Sequence, residues 1–333
     1  MRVVFMGSPD FALPTLRALL EAGHQLALVV SQPDREAGRG RTLTPPPVAR
    51  FAREHGLPLY QTATLKTEPA RAPIVAAQPD VIVVASFGLL LPRSILELPP
   101  LGCLNVHPSL LPRHRGASPI PATLLAGDHE TGVTIMLMDA GLDSGPILAQ
   151  RALPVRPEDD ALSLEASLAL LGAALLVETL PRWAAGAITP QPQDDARATY
   201  APKIQREDAR LDWRLPAEVL ARKVRAYRVW PVAYTTLRGS PLKVLRAEPL
   251  AAGVAGIPGQ VTLPFRSGRQ SGPPAVVTGE GLLVLRMVLP AGRKPMSGED
   301  WVRGERSLEG TVLGDGEAMD PEAERADQEA GSS

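Results

Sequence analysis

The stretch Arg2-Val3-Val4-Phe5-Met6-Gly7-Ser8-Pro9-Asp10-Phe11, continuing through Leu16, Leu19 and Leu20 to Gly23 and then Leu26-Ala27-Leu28-Val29-Val30, decides the fold. Arg2–Met6 is an apolar run stopped by Gly7, the signature of a short buried strand. Apolar residues at helical spacing follow and stop at Gly23. Ser8 is the expected N-cap and Pro9 the expected first helical residue, since proline lacks the N–H that this position leaves unpaired. Leu26–Val30 reads as a second buried strand. Strand, helix and strand within about thirty residues form the βαβ unit of a parallel sheet. The three-glycine fingerprint of dinucleotide binding is missing: only Gly7 stands where it would lie, and Asp34 alone does not define a ribose contact. The expectation is an α/β chain with a Rossmann-like parallel-sheet N-terminal domain and no NAD.

Val81-Ile82-Val83-Val84 is the strongest strand pattern in the chain. The segment Ala85–Pro92 follows it. There Gly88 allows close approach of a flat ligand and Phe87, Leu89 and Leu90 suit a ring system; core packing is the alternative. A further strand ends in Asn105-Val106-His107-Pro108, where proline cannot continue a ladder. Alternation puts Asn105 and His107 on one face. Side by side at the carboxyl end of a strand they form either a reaction centre or a solvated hairpin edge. Helices are expected over Ala117–Ala126 and over Asp159–Trp183, the latter capped by Asp159 or Asp160 with Leu164, Leu168, Leu171 and Leu175 on one face. Strands are expected over His129–Met138 and Pro146–Ala152. Between those strands, Asp143 sits between Gly141 and Gly145, where a tight turn can aim its carboxylate.

The texture changes beyond the long helix. Residues 1–184 read as a catalytic domain and the polar, proline-containing segment 185–204 as a linker. Residues 205–312 read as a small OB-like β-barrel, with a basic helical region over Glu207–Arg228 and then short strands separated by Gly/Pro turns. Residues 313–333 read as an acidic disordered tail. The net charge of −1 conceals this division, because Gly314–Ser333 holds seven acids and one base, leaving the remainder at +5. Between Tyr200 and Arg246 eleven bases face four acids. This excess, including Lys203, Arg206, Lys223 and Lys243, suggests a polyanion platform. Ser31–Pro47 is long for a passive loop, and its Arg39 and Arg41 are flanked by glycines suited to phosphate contact.

Cys103 is the single cysteine, which excludes an internal disulfide and fits a reducing compartment. Its apolar strand setting reads as structural. No secretory signal is visible, and the most apolar stretch, Ala166–Val177, reads as too short for a membrane span. A cytoplasmic monomer is expected. The spacings of His107, His114, His129, Asp139 and Asp143 match no zinc pattern, so no metal is expected.

Acyl transfer to an amine requires a proton carrier and donors for the oxyanion, but no serine or cysteine nucleophile. His107 can exchange protons near neutrality, Asp143 can orient it and Asn105 can donate to the oxyanion. The runs Asn105–Pro112 and Gly141–Gly145 resemble the folate-dependent formyltransferases. Met6–Phe11, Gln32–Arg35 with Gly38–Gly40, Thr131–Ile135, Thr199–Ala201 with Lys203-Ile204, Arg210–Trp213 and Trp230-Pro231 extend the likeness to about Val312. The local departure is Arg228-Val229 before Trp230-Pro231, where the family often has Asn-Pro.

The resemblance implies that Asn105, His107 and Asp143 are catalytic and that 10-formyltetrahydrofolate is the co-substrate. The acceptor it implies is the α-amino group of methionine on initiator Met-tRNA, with Asn105 and protonated His107 stabilising a tetrahedral oxyanion. Folate is expected against Phe87, Gly88, Leu89 and Leu90, against Leu142, and against Ser109, Leu110, Leu111 and Pro112. The tRNA is expected between Arg39/Arg41 and the basic barrel. The basic second domain argues against a glycinamide ribonucleotide substrate, and the Arg39/Arg41 loop against a nucleotide-sugar amine. The intact Asn/His/Asp set argues against a non-catalytic RNA-binding protein.

Overall fold

The computed structural model describes residues 1–37, 42–253, 256–267, 270–305 and 307–314. Arg39, Arg41 and the tail from residue 315 onward lie outside the described residues. The chain divides into two compact units. The first comprises Met1–Thr123, Asp128–Pro157 and Ser163–Lys203; the second comprises Leu124–Gly127, Glu158–Leu162 and Ile204–Ser333.

The first unit opens with β1 (Arg2–Gly7), α1 (Leu13–Glu21) and β2 (Gln25–Ser31), followed by the hairpin β3 (Arg35–Ala37) and β4 (Thr42–Thr44). The hairpin occupies part of what the sequence suggested was an irregular loop. Next come α2 (Pro47–Glu54), β5 (Leu59–Gln61), α3 (Glu68–Ala76), β6 (Val81–Ala85), α4 (Arg93–Leu96), β7 (Cys103–His107), β8 (Arg115–Gly116) and α5 (Pro119–Ala126). The series ends with β9 (Glu130–Leu137), β10 (Ile147–Pro154), α6 (Ala161–Ala184) and β11 (Tyr200–Ala201).

Seven strands form one sheet in the order β10-β9-β7-β6-β1-β2-β5. The stretch β7-β6-β1-β2-β5 is parallel, as the βαβ reading required, and β9 and β10 add antiparallel strands beside β7. From β1 the chain winds outward to β2 and β5, then returns to the other side of β1 as β6. The crevice at the carboxyl ends of β1 and β6 is therefore the switch point at which open α/β sheets bind ligands.

Ser8 is not a helix cap. Its hydroxyl instead accepts the Gln32 N–H at 3.0 Å, and the first full helix begins later, at Leu13, with Pro14 in its first turn. A Cβ at Gly7 would lie 2.8 Å from the Ala85 carbonyl oxygen, so glycine is what lets the ends of β1 and β6 meet.

Helix α6 is 24 residues long and contains an 18-residue window of mean hydropathy 1.7, so by length and composition alone it could cross a membrane, contrary to the shorter apolar stretch read in the sequence. Leu164, Leu168, Leu176 and Leu180 are nevertheless buried. At Gly172 a Cβ would lie 2.7 Å from Val106 Cγ1, so the helix rests directly on the back of β7. Asp160 accepts the Leu162 N–H at 3.0 Å, fixing the cap on the second of the two candidate aspartates. The Trp183 indole donates to the Leu101 carbonyl at 2.8 Å and ties the far end of α6 to the approach of β7.

Residues 185–203, read in the sequence as a linker, are built into this unit. Gln191 bridges Ile147, Tyr200–Ala201 pairs with β8, and Thr199 Oγ1 accepts the His114 N–H at 2.8 Å.

The second unit holds α7 (Ala217–Ala226), β12 (Tyr234–Leu237), β13 (Ser240–Leu250), β14 (Val261–Thr262), β15 (Arg266–Ser267), β16 (Gln270–Ser271), β17 (Ala275–Val277), β18 (Leu282–Pro290), β19 (Met296–Ser297) and α8 (Gly298–Gly304). Its main sheet runs β12-β13-β18-β17-β14, with β19 on β18. Backbone bonds from Val261 to Thr311, Leu313 to Gly259 and Gly314 to Thr236 carry the ladder from β14 back to β12, closing the small barrel. Leu313, counted with the tail in the sequence, is 2% exposed and belongs to the barrel core.

The expected helical region over Glu207–Arg228 shrinks to α7 plus a short 3-10 turn at Arg206–Ala209. Arg210 bridges Tyr234 in the sheet, and Pro216 fixes the start of the helix. Trp213, Leu220, Val224, Leu242, Leu285 and Trp301 form the core.

Candidate active site

The site grows from β7. Val106 faces α6, so its neighbours Asn105 and His107 face the opposite side, as alternation dictates. Antiparallel β9 sets Met136 opposite Asn105 and Thr134 opposite His107. Thr134 then orders the loop that follows β7: its hydroxyl donates to the Ser109 carbonyl at 2.7 Å and accepts the Leu111 N–H at 3.1 Å.

Asp143 reaches the same place from the loop between β9 and β10, with φ +50° in the left-handed region. The structure therefore brings Asn105, His107 and Asp143 together. Asn105 Nδ2 donates to Asp143 Oδ1 at 3.4 Å, and His107 Nδ1 lies 3.7 Å from Asp143 Oδ2. The backbone N–H of Gly116 donates to Asp143 Oδ2 at 2.8 Å. His107 Nε2 lies 3.0 Å from the His114 carbonyl, which can only accept, so Nε2 carries a hydrogen. In the neutral ring Nδ1 is then the unprotonated nitrogen, and it is on the Asp143 side.

Burial pushes the proton affinity of His107 below the ordinary histidine range. The Asp143 carboxylate and the bond to the His114 carbonyl oppose this, and the His114 ring adds to the lowering. The arrangement can accept a proton at Nδ1 and neutralise the resulting charge with Asp143. Burial thus favours the neutral ring, and Asp143 favours the charged one.

The other expected ligand residues divide. Leu90 is 90% and Leu142 55% exposed, so both present apolar surface to solvent. Gly88 has φ +78°, and a Cβ there would lie 2.7 Å from the Gln32 amide nitrogen; that amide donates to the Phe87 carbonyl at 2.9 Å. Phe87, Ser109 and Leu111 are buried, Leu89, Leu110 and Pro112 partly so. The Ser109 hydroxyl donates to the Arg113 carbonyl at 2.7 Å and so fixes the turn.

Lys203 is exposed, whereas Arg206 lies over the Tyr234 ring, 5.8 Å from its centroid. Lys223 donates to the Arg210 carbonyl at 2.6 Å, and burial lowers its proton affinity while Asp208 and Asp212 oppose the fall. That ammonium is engaged by the Arg210 carbonyl at the surface of the second unit. Lys243 is half-buried. Cys103 is buried and its thiol is pushed up to about 12 by desolvation, consistent with a structural role. Among the described residues no three metal-ligating side chains cluster.

Sequence reasoning missed Arg115, Gln150 and Gln193. Arg115 lies three residues beyond the Asn105–Pro112 run, and nothing in the sequence marked it as buried. Gln150 donates to the Leu111 carbonyl at 2.8 Å from the edge strand β10. Gln193 donates to the backbone of the Asp143 loop from the segment read as linker, and no local signal distinguishes it.

A parallel α/β sheet with an Asn/His/Asp cluster at the end of β7, followed by a small antiparallel barrel, defines a folate-type formyl-transfer architecture. The Formyl transferase family model matches residues 1–180 and the Formyl transferase C-terminal domain model matches residues 203–306; the chain belongs to this family. Among its relatives are the methionyl-tRNA formyltransferase of Chloroflexus aurantiacus, 50% identical over 91% of this chain and 97% of that protein, and that of Thiobacillus denitrificans, 48% identical over 94% and 100%. The fold is shared with HypX from Aquifex aeolicus in complex with tetrahydrofolic acid, at a TM-score of 0.60 and 20% identity over 96% of this chain and 50% of that one. The chain thus spans about half the length of the HypX structures it matches.

Proposed function

We propose that this chain transfers the formyl group of 10-formyltetrahydrofolate to the α-amino group of methionine esterified to initiator tRNA, preparing it for translation initiation. The observation that carries this reading is the near-full-length identity to methionyl-tRNA formyltransferases of 48–50%.

In the proposed mechanism the neutral amine attacks the formyl carbon. A C–N bond forms and the carbonyl electrons move to oxygen. Asn105 has two N–H groups, one of which makes only a long contact with Asp143, so it keeps donor capacity for this oxyanion. The attacking nitrogen loses a proton to His107 Nδ1, and Asp143 stabilises the imidazolium. When the intermediate collapses, the bond to the folate nitrogen breaks and His107 returns the proton to the departing nitrogen. A free α-amino group titrates near 7.7–8.0, so a substantial neutral fraction is present at neutral pH without a strong base. Leu90 and Leu142 are the exposed apolar residues offered to the folate ring, and Arg39, Arg41 and Lys203 are assigned to the tRNA.

The test is formylation by the purified protein with 10-formyltetrahydrofolate. Met-tRNA is expected to be formylated and free methionine not. Asn105→Ala is expected to lower kcat by about 10²–10³ with little change in KM, the usual effect of removing one oxyanion donor. No transfer to Met-tRNA beside an active control enzyme would overturn the reading.

A further inference from the structure

We infer that Gln193 is a positioning residue for this reaction, fixing the Asp143 loop and tying it to the buried guanidinium of Arg115. The inference rests on the proposed formyl transfer and deepens it.

The Gln193 carboxamide is used at both ends. Its Nε2 donates to the Asp143 carbonyl at 2.8 Å and to the Gly145 carbonyl at 2.7 Å. Its Oε1 accepts from Arg115 Nε at 3.0 Å and Nη2 at 2.8 Å. The network permits one amide orientation only: reversed, the NH2 would face a guanidinium and the oxygen would face two carbonyls. Arg115 is 3% exposed, and its Nη2 also donates to Asp195 Oδ1 at 2.7 Å. The next residue, Gly116, supplies the N–H that holds the Asp143 carboxylate. The backbone and the side chain of Asp143 are therefore both anchored to the Arg115–Gly116 strand.

Such anchoring has a purpose at this residue. Asp143 adopts a left-handed backbone, uncommon for a residue with a side chain. Gly145 presses on β9 so closely that a Cβ would lie 1.8 Å from the Leu137 carbonyl oxygen. Asp143 meets Asn105 and His107 only at 3.4 and 3.7 Å. Contacts of that length tighten or fail with small movements of the loop, and misplacement on the ångström scale costs catalytic rate steeply. The Gln193 hydrogen bonds go to Arg115 and to the Asp143 and Gly145 carbonyls and not to Asn105 or His107, so it acts through Asp143.

Gln193→Glu isolates the donor function. It keeps the length and the partnership with Arg115, but sets acceptor oxygens against the Asp143 and Gly145 carbonyls. With Met-tRNA and 10-formyltetrahydrofolate, kcat per active site is expected to fall about 10–100-fold while both KM values stay within about twofold. Gln193→Met, of similar size and neutral, is expected to give the same split and serves if the glutamate variant does not fold. Wild-type activity with a kcat within twofold in both variants, or a rise in KM alone, would overturn the inference. Absence of transfer by the wild type would instead overturn the function reading on which it rests.

Discussion

Burial sets the charge on His107 before any substrate arrives. His107 is 4% exposed, its Nε2 hydrogen is directed at the His114 carbonyl, and desolvation outweighs the attraction of Asp143. The sign follows from linkage. A histidine whose proton affinity is depressed on folding leaves stability intact above its unfolded value near 6.5. Stability is lost as pH falls from there through the folded value, because the unfolded chain takes up the proton first. For one such group the loss is at most about 1.4 kcal/mol per pH unit. His107→Gln removes the titration while retaining a donor for the His114 carbonyl. The Tm of the wild type is therefore expected to fall faster than that of the variant between pH 7.5 and 5.5. His24 is also lowered by burial, but it is common to both proteins and cancels in the comparison. Parallel Tm curves across this range would contradict the assignment.

Between elements, the decisive contact is β7 on α6. Asn105 and His107 can face the site only because Val106 is accepted by the helix behind them, and Gly172 provides the space. Gly172→Ala would usually favour a helix by about 1 kcal/mol. Here the new methyl meets Val106 Cγ1, and overpacking of a core costs about 1–3 kcal/mol. The substitution is expected to lower Tm, and Val106→Ala in the same chain to recover part of the loss, a coupling that independent sites would not show. The strands of this layer were legible in the sequence because buried parallel strands are short, continuous apolar runs: Arg2–Met6, Leu26–Val30 and Val81–Val84 all lie within observed strands. The Asn105/His107 face was legible from alternation and Asp143 from its glycine flanks. What was not legible depended on distant partners. Ser8 has the chemistry of a cap, but its hydroxyl is taken by Gln32. The helical pattern around Leu211 and Trp213 yields to a bridge with Tyr234 and to Pro216. Gln193 finds its acceptors 50 and 48 residues earlier in the chain, beyond any local pattern.

At the scale of the whole molecule, the charge count overstates the polyanion surface. Several of the eleven bases between Tyr200 and Arg246 are neutralised within the second unit. Arg214 pairs with Asp212 at 2.7 Å, Arg228 with Asp160 at 2.8 Å and Arg238 with Glu305 at 3.0 Å. The Arg214 pair also holds the Asp212 carboxyl down at about 2. Lys203 and Arg246 differ, being exposed with side chains that can swing toward a phosphate. A basic residue that neutralises one phosphate releases counterions on binding, so it adds to the salt dependence as well as to affinity. Arg246→Ala and Lys203→Ala are each expected to raise the KM for Met-tRNA with little change in kcat. Each is also expected to lower the magnitude of the slope of log affinity against log salt by up to about 0.9. Arg214→Ala removes the same formal charge from a group already paired with Asp212 and is expected to leave the slope nearly unchanged. Measuring tRNA binding for the three variants between 50 and 200 mM salt, roughly the range over which such contacts weaken markedly, separates position from net charge. Equal slopes for all three would mean that net charge, and not the position of these two side chains, governs the salt dependence.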